Sequence, residues 1–318
     1  MPKKKIKVLS LFDGMSCGQI ALNRAGFEVE SYSASEIDKH AISAAMANYP
    51  NTIQLGDVRL VSALDVDNID LLIGGSPCQG FSFAGKQLNF EDPRSKLFFE
   101  FVRLLEETKP KYFLLENVKM NQESKDVISK YLGVEPIEIN SALVSAQNRK
   151  RLYWTNIPNV TQPEDLGILL QDIIEEDGAF EFVPNSKTVN RAYKENYVQY
   201  DVHGKGYGSQ DQRAFYPHKK SGCLLVSNPP KIVCGPLVFR QKSKTVRAGG
   251  RGSYDRHEWD SVDVNHIRKF TVVECELLQT VPDGYTAKGG ASNTQRYKML
   301  GNGWTVDVIA HILKNMKL

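Results

Sequence analysis

The sequence predicts a doubly wound α/β sheet, because short apolar runs alternate with helical patterns along its first half. The clearest strand covers residues 69–73. Residues 95–107 show one apolar helical face, formed by Leu97, Phe98, Phe101, Leu104 and Leu105. Acidic or glycine-rich segments follow several of the strands. Ligand groups of α/β proteins gather at the carboxyl ends of the strands, so this pattern also indicates where a site should lie.

The individual elements follow from apolar periodicity and from helix and turn signals. In chain order we predict strands at residues 5–10, 28–34, 69–73 and 112–115, a short strand before Asp57, and helices at residues 19–25, 39–48, 95–107, 270–279 and 306–316. Gly26 and Pro50 end the first two helices. Residues 159–265 lose the alternation and predict a small, irregular, mostly β region, with strand-like runs at 223–226 and 236–239.

The composition excludes several classes of protein. With 318 residues, 41% hydrophobic and 24% charged, the chain is neither disordered nor collagen-like nor a coiled coil. No apolar run reaches the roughly 18 residues that a membrane span needs, and no apolar signal region follows the amino terminus, so we expect no membrane partner. The 5 cysteines show neither disulfide density nor metal-ligand spacing. This predicts a reducing, cytoplasmic location and no bound metal.

Charge is distributed unevenly along the chain. The whole sequence has a net charge of +3, but residues 186–256 contain 14 Lys and Arg against 4 Asp and Glu. A basic segment within a mildly acidic chain suggests contact with a polyanion. A basic surface loop without a partner would have the same composition, so charge alone does not decide between these two interpretations.

Three strand ends carry residues suited to a nucleoside. The first strand is followed by a loop with Gly14 and Gly18, where backbone can approach a ligand closely. Glu36 ends the second strand and could accept hydrogen bonds from both ribose hydroxyls, while Asp57 ends the third and could accept from an adenine amino group. The loop lacks the GxGxxG pattern and a phosphate-binding lysine. The pattern therefore predicts an adenosine site without a phosphate clamp, although each acidic residue alone is more often a helix cap.

A cysteine, a carboxyl group and two arginines are expected at neighbouring strand ends. Cys78 lies in the glycine- and proline-rich loop of residues 74–82, which follows the strand at 69–73. Glu116 ends an adjacent strand, and Arg149 and Arg151 alternate at the start of a strand-like segment, so their side chains share one face. A cysteine in such a loop can be a small filler residue, but this combination beside an adenosine pocket predicts an active site.

These motifs resemble those of the DNA (cytosine-5)-methyltransferases, in the same order and over almost the whole chain. The match comprises the loop at 12–18, Pro-Cys-Gln at 77–79, Glu-Asn-Val at 116–118, Gln-x-Arg-x-Arg at 147–151, the segment 274–282 and Gly-Asn-Gly at 301–303. Segments 94–105, 148–156 and 303–306 look closest to the de novo branch and its phage and bacterial relatives. The chain departs from the family at Val273 and Leu277, where the ninth motif usually has arginines, and at Gly303 and Trp304, where Ser-Val is more common.

The resemblance implies a Rossmann-like, S-adenosylmethionine-dependent methyltransferase fold, with a doubly wound mixed sheet and a smaller, mostly β target-recognition domain. Residues 1–158 plus 268–318 are expected to form the catalytic and cofactor-binding domain, and residues 159–267 the recognition domain. The implied cofactor is S-adenosyl-L-methionine, the product is S-adenosyl-L-homocysteine, and no metal is expected. The residues expected to line the cofactor site are Phe12, Asp13, Gly14, Gly18, Glu36, Ile37, Asp57, Val58, Pro77, Leu97, Asn302 and Thr305.

The implied reaction is methyl transfer to carbon 5 of cytosine in double-stranded DNA. Cys78 is expected to add to carbon 6 of a flipped-out base, and Glu116 to bind ring nitrogen 3 and the amino group. Arg149 and Arg151 are expected to hold the carbonyl oxygen, the thiolate and the phosphate backbone. The residues expected to contact DNA are Ser82, Gln147, Lys219, Lys220, Arg240, Lys242, Lys244, Thr245, Arg247 and Arg251. The four other cysteines are expected to be packing residues.

Two alternative functions share this sequence pattern. An RNA (transfer RNA) cytosine-5 methyltransferase would use the same catalytic residues, and a catalytically silent DNA-binding regulator would keep only the fold. The Gly-Phe-Ser continuation of the cysteine loop at 80–82 and the sizeable basic insert favour DNA, while the intact cysteine and cofactor loop favour an enzyme. We expect a prokaryotic or phage-encoded monomer, with a cognate restriction endonuclease as a candidate partner.

Overall fold

The structure is a computed structural model of the 318-residue chain. It describes residues 4–76, 96–175, 190–193, 197–201, 213–217, 219–224, 231–234 and 266–317. Within these ranges, no helix combines the length and the apolar character needed to cross a membrane.

A seven-stranded mixed sheet forms the main body of the protein. Its strands are β1 (Lys4–Leu11), β2 (Phe27–Ser35), β3 (Ile53–Gln54), β4 (Leu71–Gly74), β5 (Tyr112–Val118), β6 (Ile137–Asn140) and β7 (Lys150–Thr155). The spatial order is β3-β2-β1-β4-β5-β7-β6. Strands β1 to β5 pair in parallel, and β7 runs antiparallel to both of its neighbours. The predicted doubly wound mixed sheet is confirmed.

Both faces of this sheet are covered by apolar packing. Successive residues of β1 point to opposite faces, and Val8 belongs to one buried cluster whereas Leu9 belongs to the other. The helices around the sheet are α1 (Cys17–Ala25), α2 (Lys39–Asn48), α3 (Lys96–Thr108), α4 (Gln122–Leu132), α5 (Val272–Leu278), α6 (Asn293–Asn302) and α7 (Val306–Leu313). Because both faces are buried, the central strands β4 and β5 read as continuous apolar runs rather than as alternating ones.

The last helix, α7, packs against the first helix of the chain, α1. Arg24 at the end of α1 donates a hydrogen bond to the Asp307 carboxylate of α7 (2.7 Å) and another to the Thr280 carbonyl (2.5 Å). The apolar residues of α7 are buried in the same cluster as Ile20 and Leu22 of α1. The carboxyl-terminal segment therefore completes the body of the molecule.

Three elements of the main body are not predicted by the sequence: α4, β6 and α6. Helix α4 is largely polar, and it is defined by Asn121, whose side chain accepts from the Ser124 N–H, and by Gly133, which has a positive φ of 69°. Helix α6 buries only Met299, Leu300 and Gly301. Helix α6 therefore lacks the apolar periodicity on which the sequence-based assignment depends, whereas α4 has only a short apolar face, with Ile128 and Leu132, among mostly polar residues.

A second, five-stranded sheet confirms the β character predicted after residue 158. It contains β8 (Asn190–Tyr193), β9 (Tyr197–Asp201), β10 (Arg213–Phe215), β11 (Lys231–Cys234) and β12 (His266–Lys269), in the order β12-β11-β10-β9-β8. Of the two predicted runs, residues 223 and 224 are not in a strand, and residues 225–226 and 236–239 lie outside the described residues. Phe215 and Leu224 pack in the same buried cluster as Leu278, which links this region to the main body.

Candidate active site

A cavity of about 880 Å³ opens at the carboxyl ends of β1, β2, β4 and β5. This size and this position at the ends of parallel strands are typical of small-molecule sites in α/β proteins. Its walls include most of the described residues that were predicted to bind cofactor or to catalyse: Phe12, Asp13, Gly14, Glu36, Ile37, Asp57, Val58, Leu97, Glu116, Arg149, Arg151 and Asn302. One cavity therefore joins the predicted adenosine and catalytic groups.

The turn after β1 is shaped by three residues in the left-handed region. Phe12, Gly14 and Ser16 have φ values of 56°, 58° and 62°. The Asp13 carboxylate lies inside this turn and accepts hydrogen bonds from the hydroxyls of Ser10 (2.6 Å), Tyr32 (2.7 Å) and Ser16. Burial raises the pKa of Asp13 to about 6, although these hydroxyls act to lower it. Asp13 therefore holds the turn in shape at the cost of a buried carboxylate.

The Glu36 carboxylate connects the turns after β1 and β2. One of its oxygens accepts from the Gly14 N–H (2.8 Å), and the other accepts from the N–H groups of Ile37 (2.7 Å) and Asp38 (2.8 Å). A carboxylate offers about four acceptor positions. Three are occupied by backbone, so Glu36 can accept about one further hydrogen bond, whereas the prediction from sequence assigned it two ribose hydroxyls.

Two further carboxylates at this end of the cavity are paired with cations. Asp57 accepts from the side chain of Arg59, with Arg59 Nε 3.0 Å from Asp57 Oδ1. These hydrogen bonds lower the pKa of Asp57 to about 2. Asp38 caps α2 and accepts from Lys298 Nζ at 2.7 Å. Arg59, Asp38 and Lys298 line the cavity but were not predicted, because helix-capping and surface positions give no distinct sequence signal.

Two residues predicted to line the cofactor site lie behind its wall. A Cβ atom on Gly18 would lie 2.5 Å from Ile73 Cδ1 and 2.6 Å from the Tyr32 hydroxyl, so glycine is needed there for packing. Thr305 is buried, donates to Gln279 Oε1 (2.9 Å) and accepts from the Ser141 hydroxyl (2.9 Å). Both residues therefore support the wall of the cavity with their packing and hydrogen bonds, and their contact with a cofactor stays a prediction.

At the other end of the cavity, a carboxylate and two guanidinium groups lie together. Arg151 Nε lies 3.0 Å from Glu116 Oε1, and both side chains are mostly buried. Arg149 is 4% exposed and donates to the Gly303 carbonyl (2.9 Å) and the Gly301 carbonyl (3.5 Å). Arg149 and Arg151 therefore share one face of the strand start, as predicted. Arg149 also fixes the turn on either side of Asn302.

Cys223 joins this group of side chains, although no sequence pattern marks it. Its sulfur accepts from Arg149 Nη1 (3.1 Å) and Arg151 Nη2 (3.6 Å), and it lines the cavity. Burial by itself would raise the pKa of the Cys223 thiol, but the charges and N–H groups of Arg149 and Arg151 outweigh burial and lower it. The packing role predicted for this cysteine is therefore corrected.

The cysteines Cys17 and Cys275 are buried, and burial raises the pKa of the Cys17 thiol to about 12.

Two residues predicted to contact DNA are engaged inside the protein. Gln147 is fully buried, donates to the Leu278 carbonyl (3.1 Å) and accepts from the Leu224 N–H (3.1 Å). The Lys220 ammonium donates to three carbonyl groups, those of Ala142 (2.6 Å), Ser145 (3.2 Å) and Ile168 (2.8 Å). An ammonium group has three N–H donors, so none remains for a phosphate. The structure corrects both assignments.

Other predicted site residues lie outside the described residues. They are Pro77, Cys78, Ser82, Arg240, Lys242, Lys244, Thr245, Arg247 and Arg251. The described chain leads towards Cys78 as far as Ser76, whose hydroxyl accepts from Asn117 Nδ2 at 3.1 Å. At Gly75, a Cβ atom would lie 2.9 Å from Trp304 Nε1 and 3.2 Å from Glu116 Oε2. Glycine is thus required for the chain to pass between these two groups.

The seven-stranded mixed sheet, with a cavity at the carboxyl ends of its strands, is a Rossmann-like fold of the kind that binds small-molecule cofactors at this edge. The structure of the Entamoeba histolytica methyltransferase EhMeth superposes with a TM-score of 0.72 at 16% identity, covering 98% of each chain. Residues 6–318 match the family described as C-5 cytosine-specific DNA methylase, and the chain belongs to this family.

Two curated relatives come from a bacterium and a phage. The type II methyltransferase M1.ScrFI of Lactococcus lactis subsp. cremoris is 29% identical, over 98% of this chain and 78% of its own length. The orphan methyltransferase M.SPRI of Bacillus phage SPR is 37% identical, over 48% of this chain and 38% of its own length. The predicted family and its methyltransferase activity are confirmed, and with them S-adenosylmethionine as the methyl donor.

Proposed function

We propose that this enzyme methylates carbon 5 of cytosine in double-stranded DNA through a covalent adduct between Cys78 and a flipped-out base. The observation that supports this proposal is the shared cavity, in which Glu36 at one end and the Glu116–Arg151 pair at the other line a single space of about 880 Å³. Cofactor and target base must meet for a methyl group to pass between them, and a continuous cavity satisfies this requirement.

The adenosine end of the cavity suits the cofactor. Phe12, Ile37 and Val58 provide apolar wall, and Glu36 offers its remaining acceptor position to a ribose hydroxyl. The bound cofactor would supply a methyl group made electrophilic by a positively charged sulfur. The N–H groups at the start of α1, behind Gly14, would hold a carboxylate, because the amino end of a helix favours anions.

The opposite end of the cavity suits a cytosine ring. Glu116 would bind ring nitrogen 3 and the exocyclic amino group, which makes carbon 6 more electrophilic. Addition of the Cys78 thiolate to carbon 6 makes carbon 5 nucleophilic, so that carbon 5 accepts the methyl group. Loss of the carbon 5 proton to a base and elimination of the thiolate complete the reaction. Arg149 and Arg151 would hold the carbonyl oxygen and stabilise the thiolate.

The five-stranded sheet is the proposed DNA-recognition region. Lys219 and the predicted basic residues between 240 and 251 would contact phosphates and bases. A target base reacts only outside the duplex stack, so this region would have to hold a distorted duplex.

We propose further that the enzyme acts as a cytoplasmic monomer. We also propose a cognate restriction endonuclease as its functional partner, since a curated relative is a type II methyltransferase.

Labelled cofactor with duplex DNA, transfer RNA and no nucleic acid tests the proposed substrate directly. Duplex DNA should accept label, and Cys78→Ser should abolish transfer while it retains duplex binding, because a hydroxyl is a much weaker nucleophile. Duplex containing 5-fluorocytosine should trap an adduct at Cys78, since fluorine cannot leave as a proton does. Methyl transfer to RNA alone would show that RNA and not DNA is the substrate. Duplex binding without any methyl transfer would favour a silent regulator. An adduct at another cysteine would exclude Cys78 as the nucleophile.

A further inference from the structure

The sulfur of Cys223 is the point where the recognition segment, defined as residues 219–224, reaches the catalytic groups. It lies 3.1 Å from Arg149 Nη1 and 3.6 Å from Arg151 Nη2. Neither arginine is near Cys223 in sequence, since the separations are 74 and 72 residues. The contact therefore exists only because the recognition segment docks on the main body.

Each guanidinium group is held by several partners, and Cys223 is the partner that they share. Arg151 also contacts Glu116 Oε1 (3.0 Å) and the Lys150 carbonyl (2.9 Å). Arg149 also donates to the carbonyls of Gly301 and Gly303, next to Asn302. A change at Cys223 would thus affect the base-binding end of the cavity through Arg151 and the cofactor-binding turn through Arg149.

The position of Cys223 is fixed by hydrogen bonds on both sides of it. The Ser221 N–H donates to the Ala146 carbonyl (2.8 Å), and the Asn148 N–H donates to the Ser221 carbonyl (3.0 Å). On the other side, the Leu224 N–H donates to Gln147 Oε1 (3.1 Å). These hydrogen bonds hold the sulfur within reach of both guanidinium groups. A hydrogen bond from a charged donor is stronger than one from a neutral donor, so the charge of the two guanidinium groups strengthens their contact with the sulfur.

We propose that Cys223 is a positioning residue for methyl transfer, whose sulfur orients Arg149 and Arg151 and, through Arg151, the Glu116 carboxylate. This inference rests on the proposed function of these three residues. It makes catalytic competence depend on the docking of residues 219–224, because an undocked segment leaves both guanidinium groups without their shared acceptor. A region that recognises DNA thereby supports the groups that carry out the chemistry.

Three variants test this inference: Cys223→Ala, which removes the acceptor, Cys223→Ser, which keeps one, and Cys275→Ala, which removes a buried cysteine away from the cavity. The kcat of Cys223→Ala should fall about tenfold, as expected for the loss of a hydrogen bond to charged groups. Cys223→Ser should stay within about threefold of wild type, and the KM for cofactor should change less than kcat. Cys275→Ala should lower the melting temperature and leave kcat per folded molecule unchanged.

An NMR measurement follows the arginine independently of turnover. The ¹⁵N-detected Nε–H resonance of Arg151 should shift or broaden in Cys223→Ala and be retained in Cys223→Ser. Wild-type kcat in Cys223→Ala, an equal loss in the Ala and Ser variants, or an unmoved Arg151 resonance would each overturn the positioning role. Absence of methyl transfer by the wild-type enzyme would instead refute the proposed function, and the resonance would still decide whether Cys223 orients Arg151.

Discussion

Replacement of Asp13 by asparagine should remove a pH dependence from the stability of the folded protein. The Asp13 carboxylate is enclosed by the turn after β1, and burial raises its pKa from 3.8 to about 6. A raised carboxyl pKa means that the folded state binds the proton more tightly than the unfolded state does. The free energy of unfolding therefore falls as the pH rises from about 4 to about 6 and stays lower above pH 6.

The size of this effect follows from the change in pKa. Each pKa unit corresponds to about 1.36 kcal/mol, so a rise from 3.8 to about 6 gives a penalty on the order of 3 kcal/mol at neutral pH. Asparagine has a similar shape and keeps an acceptor for the hydroxyls of Ser10 and Tyr32, but it never ionises. Asp13→Asn should thus be more stable than wild type at pH 7.5 by up to this amount and should lose the advantage near pH 4.

Urea unfolding of both proteins without cofactor, between pH 4 and pH 8, measures the difference directly. Asp57→Asn is the matched control, because hydrogen bonds from Arg59 lower the pKa of Asp57 to about 2, so this variant should be less stable than wild type by an amount that stays constant over this pH range. The Asp57 carboxylate stabilises the fold above about pH 4 and loses that contribution as the pH falls. A difference between Asp13→Asn and wild type that does not vary with pH would refute the assignment of a buried, ionised Asp13.

Two further predictions concern ligand affinity. Glu36→Gln should weaken cofactor binding about 5- to 150-fold, because the amide loses charge and acceptor capacity at the turn after β1. Duplex affinity should hardly change. Calorimetry with cofactor and a duplex titration measure the two affinities, and a loss of duplex affinity alone would contradict the prediction. Lys219→Ala should reduce the slope of log duplex affinity against log salt concentration by about one. Lys220→Ala should lower the melting temperature and leave that slope unchanged, because the three N–H donors of Lys220 bind carbonyl groups inside the protein. Wild-type salt slopes in both variants would show that neither lysine faces DNA, and a reduced slope in Lys220→Ala would contradict its internal role.

Local sequence patterns predict the order and type of most elements of the main body. Alternation of strand-sized apolar runs with helical faces predicted β1, α2 and α3 to within a residue at each end, because both faces of a parallel sheet must be covered by helices. Strand periodicity also predicted that Arg149 and Arg151 share a face. These features depend on residues that are close in the chain, so the local periodicity of apolar residues predicts them.

The way in which distant segments meet at the cavity becomes visible in the folded molecule and not in the sequence. The contact between Cys223 and Arg149 joins residues 74 positions apart, and Gln147 bonds to Leu278 across 131 positions. The residue types at these positions do not distinguish a buried partner from a DNA contact, and for this reason Gln147 and Lys220 were assigned to DNA from sequence. Whether a polar side chain faces solvent or an internal carbonyl is set by the docking of segments, and no local pattern specifies that docking.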